Sequence, residues 1–130
     1  MRRFAVPLLV AGVLLAAPAC SSGSSSTVDP APAQAAGPAV DPTGAVLIDV
    51  RTPEEFAGGH LEGAVNIDVQ AADFAAQVAA LDPAGRYLIY CRSGNRSAVA
   101  VSIMSSLGFS DLTDLGGVPQ ASAATGLPVV

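Results

Sequence analysis

Two short apolar runs that lack a helical repeat constrain the fold of this chain most. Residues 46–48 read Val-Leu-Ile and residues 87–90 read Tyr-Leu-Ile-Tyr. Continuous apolar runs of this length are typical of strands that are buried on both faces of a parallel sheet. Residues 64–67 and 112–115 are weaker strand candidates. A parallel sheet requires crossover connections, so helices are expected between these strands.

Two helices are predicted between and after the strands. Phe74, Val78 and Leu81 recur at i, i+4 and i+7, and Asp82-Pro83 ends that pattern. Residues 97–107 form a second apolar helix, which Gly108 closes. Alternating strands and helices predict an α/β domain over residues 45–130, with a central parallel sheet flanked by helices on both faces.

The first nineteen residues have the layout of a signal peptide. Arg2 and Arg3 are followed by residues 4–19, which carry no charged or polar side chain. A transmembrane helix is the competing interpretation, but it requires about 20 apolar residues. This run is shorter and contains Pro7 and Pro18, so a cleaved leader over residues 1–19 is favoured.

The end of the leader predicts a lipid anchor. Ala17-Pro18-Ala19-Cys20 resembles the lipobox of bacterial lipoproteins, although those usually have Leu where this chain has Ala17. Residues 20–44 are then a lipidated Cys20 and a flexible linker rich in Ser, Gly, Pro and Ala. We expect an exported protein on the outer face of the cytoplasmic membrane. Cleavage by the ordinary peptidase would instead leave a secreted protein.

The charge pattern excludes one class of partner and draws attention to one loop. The formal net charge is -5 and the chain contains no Lys, which argues against binding nucleic acid through its phosphates. Outside the predicted leader, Arg92 and Arg96 are the only clustered basic residues. Both lie in the segment that joins the apolar run 87–90 to the second predicted helix.

That segment has the features of a nucleophile site. Cys91 ends a buried strand, and ligands of open α/β sheets bind at the carboxyl ends of strands. A loop that opens a helix directs backbone N–H groups and the positive end of the helix dipole toward one point, which favours a thiolate. We therefore predict Cys91 as the nucleophile and the following residues as its binding loop: Arg92, Ser93, Gly94, Asn95, Arg96 and Ser97. The alternative is a buried, inert cysteine.

Three segments in order carry a family resemblance. Residues 46–56 read VLIDVRTPEEF, residues 59–67 read GHLEGAVNI, and residues 91–96 read CRSGNR. Together with Leu115-Gly116-Gly117 and Gly126-Leu127-Pro128-Val129, they resemble the rhodanese-like sulfurtransferases over essentially all of residues 45–130. One departure is residues 118–125, where that family commonly has a Trp and this chain has only small residues.

The resemblance implies a mechanism. Cys91 would take the outer sulfur of a thiosulfate-type donor, release sulfite, and hold the sulfur as a persulfide among the loop amides. Cyanide or a thiol would then accept it. No metal or organic cofactor is implied. Asp49 and Arg51 would form an ion pair near the site, and His60 is expected to have a structural role rather than that of a base.

Other functions remain open at this stage. The scaffold could carry sulfur or bind a partner without turnover, and the missing Trp leaves room for this. A tyrosine phosphatase or arsenate reductase is less favoured, because those enzymes have a longer loop between Cys and Arg. Only four residues separate Cys91 from Arg96 here, and the smaller loop fits a sulfur atom better than a tetrahedral oxyanion.

Overall fold

The computed structural model of the chain describes residues 38–130. The predicted signal peptide, Cys20 and residues 21–37 of the predicted linker lie outside this range. Within it, no helix is long and apolar enough to cross a membrane. The elements are β1 (Val46–Asp49), α1 (Pro53–Ala57), β2 (Val65–Asn66), α2 (Phe74–Ala79), β3 (Arg86–Cys91), α3 (Asn95–Ser106), β4 (Asp111–Gly117) and α4 (Val118–Thr125).

The four strands form one parallel sheet in the order β2-β1-β3-β4. The two apolar runs are its central strands: Ile48 lies opposite Ile89, and Asp49 lies opposite Tyr90. All four predicted strands are present. The weaker sequence signals belong to the edge strands, whose side chains are only partly buried and therefore less uniformly apolar.

Helices cover both faces of the sheet, which confirms the predicted α/β architecture. One face packs against α2 and α3, and its core includes Ile48, Ile89, Phe74 and Met104. Cys91 belongs to this core and is buried. The predicted helical repeat therefore identified the side chains of α2 that face the sheet.

The opposite face packs against α4 and the two ends of the described chain. Leu88 and Tyr90 of β3 contact Ala121 of α4 there. Val40 also packs on this cluster, and its N–H donates to the carbonyl of Ala124 at 2.8 Å. The segment 38–44, which the sequence assigns to the linker, thus includes residues that are packed on the domain.

Helix α4 occupies the region where the sequence analysis noted only small residues. Pro119 lies in its first turn and Gly126 ends it with a φ of 73°. Both are typical helix boundaries. Small side chains allow α4 to lie close to the sheet, with Ala121 fully buried.

Candidate active site

Cys91 is the last residue of β3, and the loop after it turns directly into α3. Gly94 precedes α3 with a φ of 100°, a left-handed conformation that L side chains rarely adopt. This turn brings the Gly94 N–H to 3.0 Å from the Cys91 sulfur. The sequence-predicted loop is therefore folded around the thiol.

Backbone N–H groups of the loop favour the ionised form of this sulfur. Burial by itself raises the pKa of the Cys91 thiol, but the backbone N–H groups of Ser97, Ser93 and Gly94 together outweigh it. They hold that pKa below its ordinary value of 9.0. The Ser97 hydroxyl also donates to the Gly94 carbonyl at 2.9 Å and so braces the loop.

The sulfur is closed off from solvent in this structure. Cys91 has 0 % of its surface exposed, whereas Arg92, Ser93 and Asn95 on the outside of the loop are exposed. Burial alone would fit an inert cysteine, but such a thiol in apolar surroundings has a raised pKa, opposite to the direction found here.

The two arginines of the loop have different environments. Arg96 forms a bidentate ion pair with Glu55, with Nη1 at 2.6 Å from Oε2 and Nη2 at 2.8 Å from Oε1. Arg92 is exposed and forms no ion pair with any of residues 38–130. The two clustered arginines are therefore not equivalent, and Arg92 is the one that is available to an incoming anion.

Asp49 and Arg51 form a buried ion pair at the carboxyl end of β1. The Arg51 Nη2 lies 2.6 Å from Asp49 Oδ2 and 2.7 Å from the carbonyl oxygen of Gly59. Tyr90 stands beside this pair, with the Arg51 guanidinium 5.8 Å from its ring centre. Burial raises the pKa of the Tyr90 phenol. These groups support the strand end next to Cys91 without contacting the sulfur.

Gly117 of β4 supports the loop through a contact that the sequence did not predict. A bulge in the β3–β4 pairing places Gly116 opposite Tyr90 and Gly117 opposite Cys91. A Cβ at position 117 would lie 2.6 Å from the Arg92 carbonyl oxygen. The Gly-Gly pair is visible in the sequence, but the contact of Gly117 with the loop depends on the bulge between β3 and β4.

Glu55 is a second residue whose role was missed. It completes a capping box with Thr52 at the start of α1. Burial opposes ionisation of its carboxyl, but hydrogen bonds from Arg96 dominate and lower its pKa to about 2. The capping motif is visible in the sequence, whereas the partner lies 41 positions away.

His60 lies in a structural environment. Its ring stacks on Phe56 at a centroid distance of 3.7 Å, and its Nδ1 lies 2.9 Å from the Phe56 carbonyl oxygen. Its backbone N–H and carbonyl both bond to Val130. Among residues 38–130, no group of three or more His, Cys, Asp or Glu side chains could hold a metal ion.

Comparison with known proteins agrees with this geometry. The chain is 35% identical over 91 residues to thiosulfate sulfurtransferase 16, chloroplastic, of Arabidopsis thaliana, covering 62% of this chain and 76% of the relative. It is 32% identical over 71 residues to the thiosulfate sulfurtransferase PspE of Escherichia coli K12, covering 55% and 68%. A solved structure, a rhodanese with anions from E. coli, superposes with a TM-score of 0.56 at 29% identity, covering 66% and 96%. The family model for the rhodanese-like domain matches residues 32–123. The chain therefore belongs to the rhodanese-like domain family.

Proposed function

We propose that this protein is a thiosulfate-type sulfurtransferase in which Cys91 carries the transferred sulfur as a persulfide. The observation that carries the proposal is the Gly94 N–H, which donates to the Cys91 sulfur at 3.0 Å, in a loop whose Ser93 and Ser97 N–H groups also lower the pKa of that thiol. Such donors stabilise an anion on sulfur, and both the thiolate and the persulfide are anions. The names of the curated relatives support the donor class.

The reaction consists of two displacements at sulfur. The Cys91 thiolate attacks the outer sulfur of the donor, the S–S bond breaks, and sulfite leaves with the electron pair. A thiolate or cyanide acceptor then attacks the outer sulfur of the persulfide. The Cys91 thiolate is regenerated, and the product is an acceptor persulfide or thiocyanate. Neither step needs an external oxidant or reductant, and an ionised thiol needs no general base.

The side chains of the loop have distinct roles in this scheme. Arg92 is exposed and unpaired within the described part of the chain, so it meets the anionic donor first. Ser93 and Asn95 are exposed on the outside of the loop and bear no charge that would repel an anionic donor. Ser97 stabilises the sulfur anion through its N–H, while its hydroxyl donates to the Gly94 carbonyl and holds the loop. Because Cys91 is fully buried, loop opening precedes the first displacement.

The test is sulfite and thiocyanate formation from thiosulfate and cyanide by the purified protein. Cys91→Ser should abolish both products. Cys20→Ser is the matched control, because Cys20 is the only other cysteine of the chain, and it should leave the rate unchanged. Undiminished activity in Cys91→Ser would overturn the proposal.

A second candidate function is a sulfur carrier without turnover. The closed loop favours it, since a fully buried sulfur is slow to meet successive small molecules. Incubation with thiosulfate would then add one sulfur atom to Cys91, as measured by intact-protein mass spectrometry, but no steady-state thiocyanate production would follow. Sustained turnover excludes this alternative.

We further propose that the protein is exported and anchored through a lipid on Cys20. The support is the sequence of residues 1–20 alone: basic residues, an apolar run, and small residues before Cys20. Mass spectrometry of the mature N-terminus should find a diacylglycerol-modified Cys20. An unmodified N-terminus near that position would instead indicate a secreted protein.

A further inference from the structure

The Glu55 carboxylate accepts three hydrogen bonds, two of which join α1 to the active-site loop. Both of its oxygens accept from Arg96, at 2.6 and 2.8 Å, and Oε2 also accepts from the Thr52 N–H at 3.2 Å. The Arg96 and Glu55 side chains are only 24% and 28% exposed. One carboxylate thus caps a helix and holds a guanidinium of the neighbouring helix.

Arg96 stands in an unfavourable place for a cation. It lies in the first turn of α3, where the helix dipole is positive, and that turn contains no acidic residue. It also lies close enough to Cys91 for the thiolate charge to favour its protonated form. Two anions therefore compete for this guanidinium, the Glu55 carboxylate and the Cys91 sulfur.

The geometry resolves this competition in favour of the carboxylate. Glu55 receives two short hydrogen bonds from Arg96, while the contacts that stabilise the ionised sulfur come from backbone N–H groups and Ser97. A free guanidinium could enter the loop and form its own ion pair with the sulfur. Such a pair would fill the space that a donor has to occupy.

We propose that Glu55 is a positioning residue for the active-site loop: it holds Arg96 against α1 and offsets its charge, so that loop amides stabilise the sulfur anion. Any effect of Glu55 on sulfur transfer rests on the function proposed above. Its effect on the ionisation of the Cys91 thiol can be measured without any turnover.

The charged groups around the pair come from four places in the fold. Arg96 faces Glu55 of α1, Cys91 at the end of β3, and Asp68 after β2. Glu55 also faces Arg51 at the end of β1. Arg51 is already paired with Asp49, so Glu55 is the group whose removal most changes the charge next to Arg96.

The experiment measures the rate of Cys91 alkylation by iodoacetamide against pH, in full-length protein with Cys20→Ser in every variant. Removing the Glu55 charge leaves Arg96 unopposed near the sulfur. Glu55→Gln should therefore lower the midpoint of the profile by about 0.5 pH unit, a roughly threefold larger thiolate fraction below the midpoint. Arg96→Gln removes the cation itself and should shift the midpoint upward.

Thr52→Ala is the matched control. It breaks the capping box through the Thr52 hydroxyl but leaves the Glu55 contacts with Arg96 intact, so the midpoint should stay at the parent value. The shift caused by Glu55→Gln should also disappear in an Arg96→Gln background.

Two results would overturn the inference. Glu55→Gln could leave the alkylation midpoint at the parent value, as Thr52→Ala should, which would make Glu55 a helix cap only. Alternatively, the midpoint shift caused by Glu55→Gln could persist in the Arg96→Gln background. If Glu55→Gln does not fold, Glu55→Asp takes its place: its shorter side chain holds Arg96 less closely, so the midpoint should again fall, and an unchanged midpoint refutes the inference. A parent protein without sulfurtransferase activity would refute the proposed function but would not affect these midpoints.

Discussion

Adding one methyl group at Gly117 should displace the active-site loop. The backbone of Gly117 has a φ of -86° and a ψ of 168°, which any residue can adopt, so glycine is needed there for space. A Cβ would lie 2.6 Å from the Arg92 carbonyl oxygen and 2.7 Å from Gln120 Oε1. The Gln120 side chain can rotate away, but the Arg92 carbonyl is backbone of the loop.

The size of the effect follows from that distance. A relaxed carbon–oxygen contact is about 3.3 Å, so the Arg92 carbonyl and its neighbours have to move by roughly 0.7 Å. Overpacking of this kind costs about 1–3 kcal/mol of stability. A misplacement of about 1 Å at a reacting centre can cost about 100-fold in rate. We therefore expect Gly117→Ala to lower kcat/KM by about 10- to 100-fold.

The assay is thiocyanate formation together with urea unfolding, and the neighbouring glycine supplies the control. Gly116 has a φ of 78°, and a Cβ there meets only the Gln120 Cβ at 3.8 Å. Gly116→Ala should cost about 1–2 kcal/mol in backbone strain but leave kcat/KM within about threefold of the parent. Equal loss of activity in the two variants, or full activity in Gly117→Ala, would refute the argument.

Three further predictions concern charge and ionisation. Ser97→Ala should raise the midpoint of Cys91 alkylation, because it removes the hydroxyl that donates to the Gly94 carbonyl and keeps the Gly94 N–H at the sulfur, whereas Ser93→Ala should not, since Ser93 acts through its backbone N–H. The lowered pKa of Glu55 stabilises the fold fully above about pH 4.5, and this contribution is lost as pH falls toward 2. Urea unfolding should therefore show Glu55→Gln less stable than the parent by about 1 kcal/mol at pH 7, allowing for solvent screening, with the difference vanishing near pH 2. Asp49→Ala leaves the buried Arg51 guanidinium unpaired and should lower the free energy of unfolding by about 3 kcal/mol in the same assay; a loss below about 1 kcal/mol would contradict the burial argument.

The sequence predicted the strands and helices whose residue pattern is local and whose side chains share one kind of environment. The central strands are apolar because both faces of the sheet are covered, and α2 shows its buried stripe as a helical repeat. The end of α3 was also readable, since Gly108 has a φ of 96° and the Phe109 N–H returns to the Met104 carbonyl. Helix α4 was missed because alanines give no amphipathic pattern, although Pro119 and Gly126 mark its ends.

The candidate site was only partly predictable. Cys91 and the loop after it form a contiguous motif, so residue type and order identify them. The contacts that hold the loop from outside are tertiary: Arg96 meets Glu55 across 41 positions, and Gly117 meets the Arg92 carbonyl through the pairing of β3 with β4. The residue pattern around either member of such a pair does not indicate its partner, because that pattern reflects the local helix or strand and not the distant contact.

A sulfur with no exposed surface is shielded from oxidants as well as from substrates. In the proposed mechanism, peroxide reaches the sulfur through the same loop opening as thiosulfate, so a closed loop also protects the resting thiol from irreversible oxidation to sulfonate. At saturating concentrations, chemically different donors should converge on one common rate ceiling, namely the frequency of loop opening. Any change that speeds this opening should increase both the turnover rate and the rate at which Cys91 is oxidised.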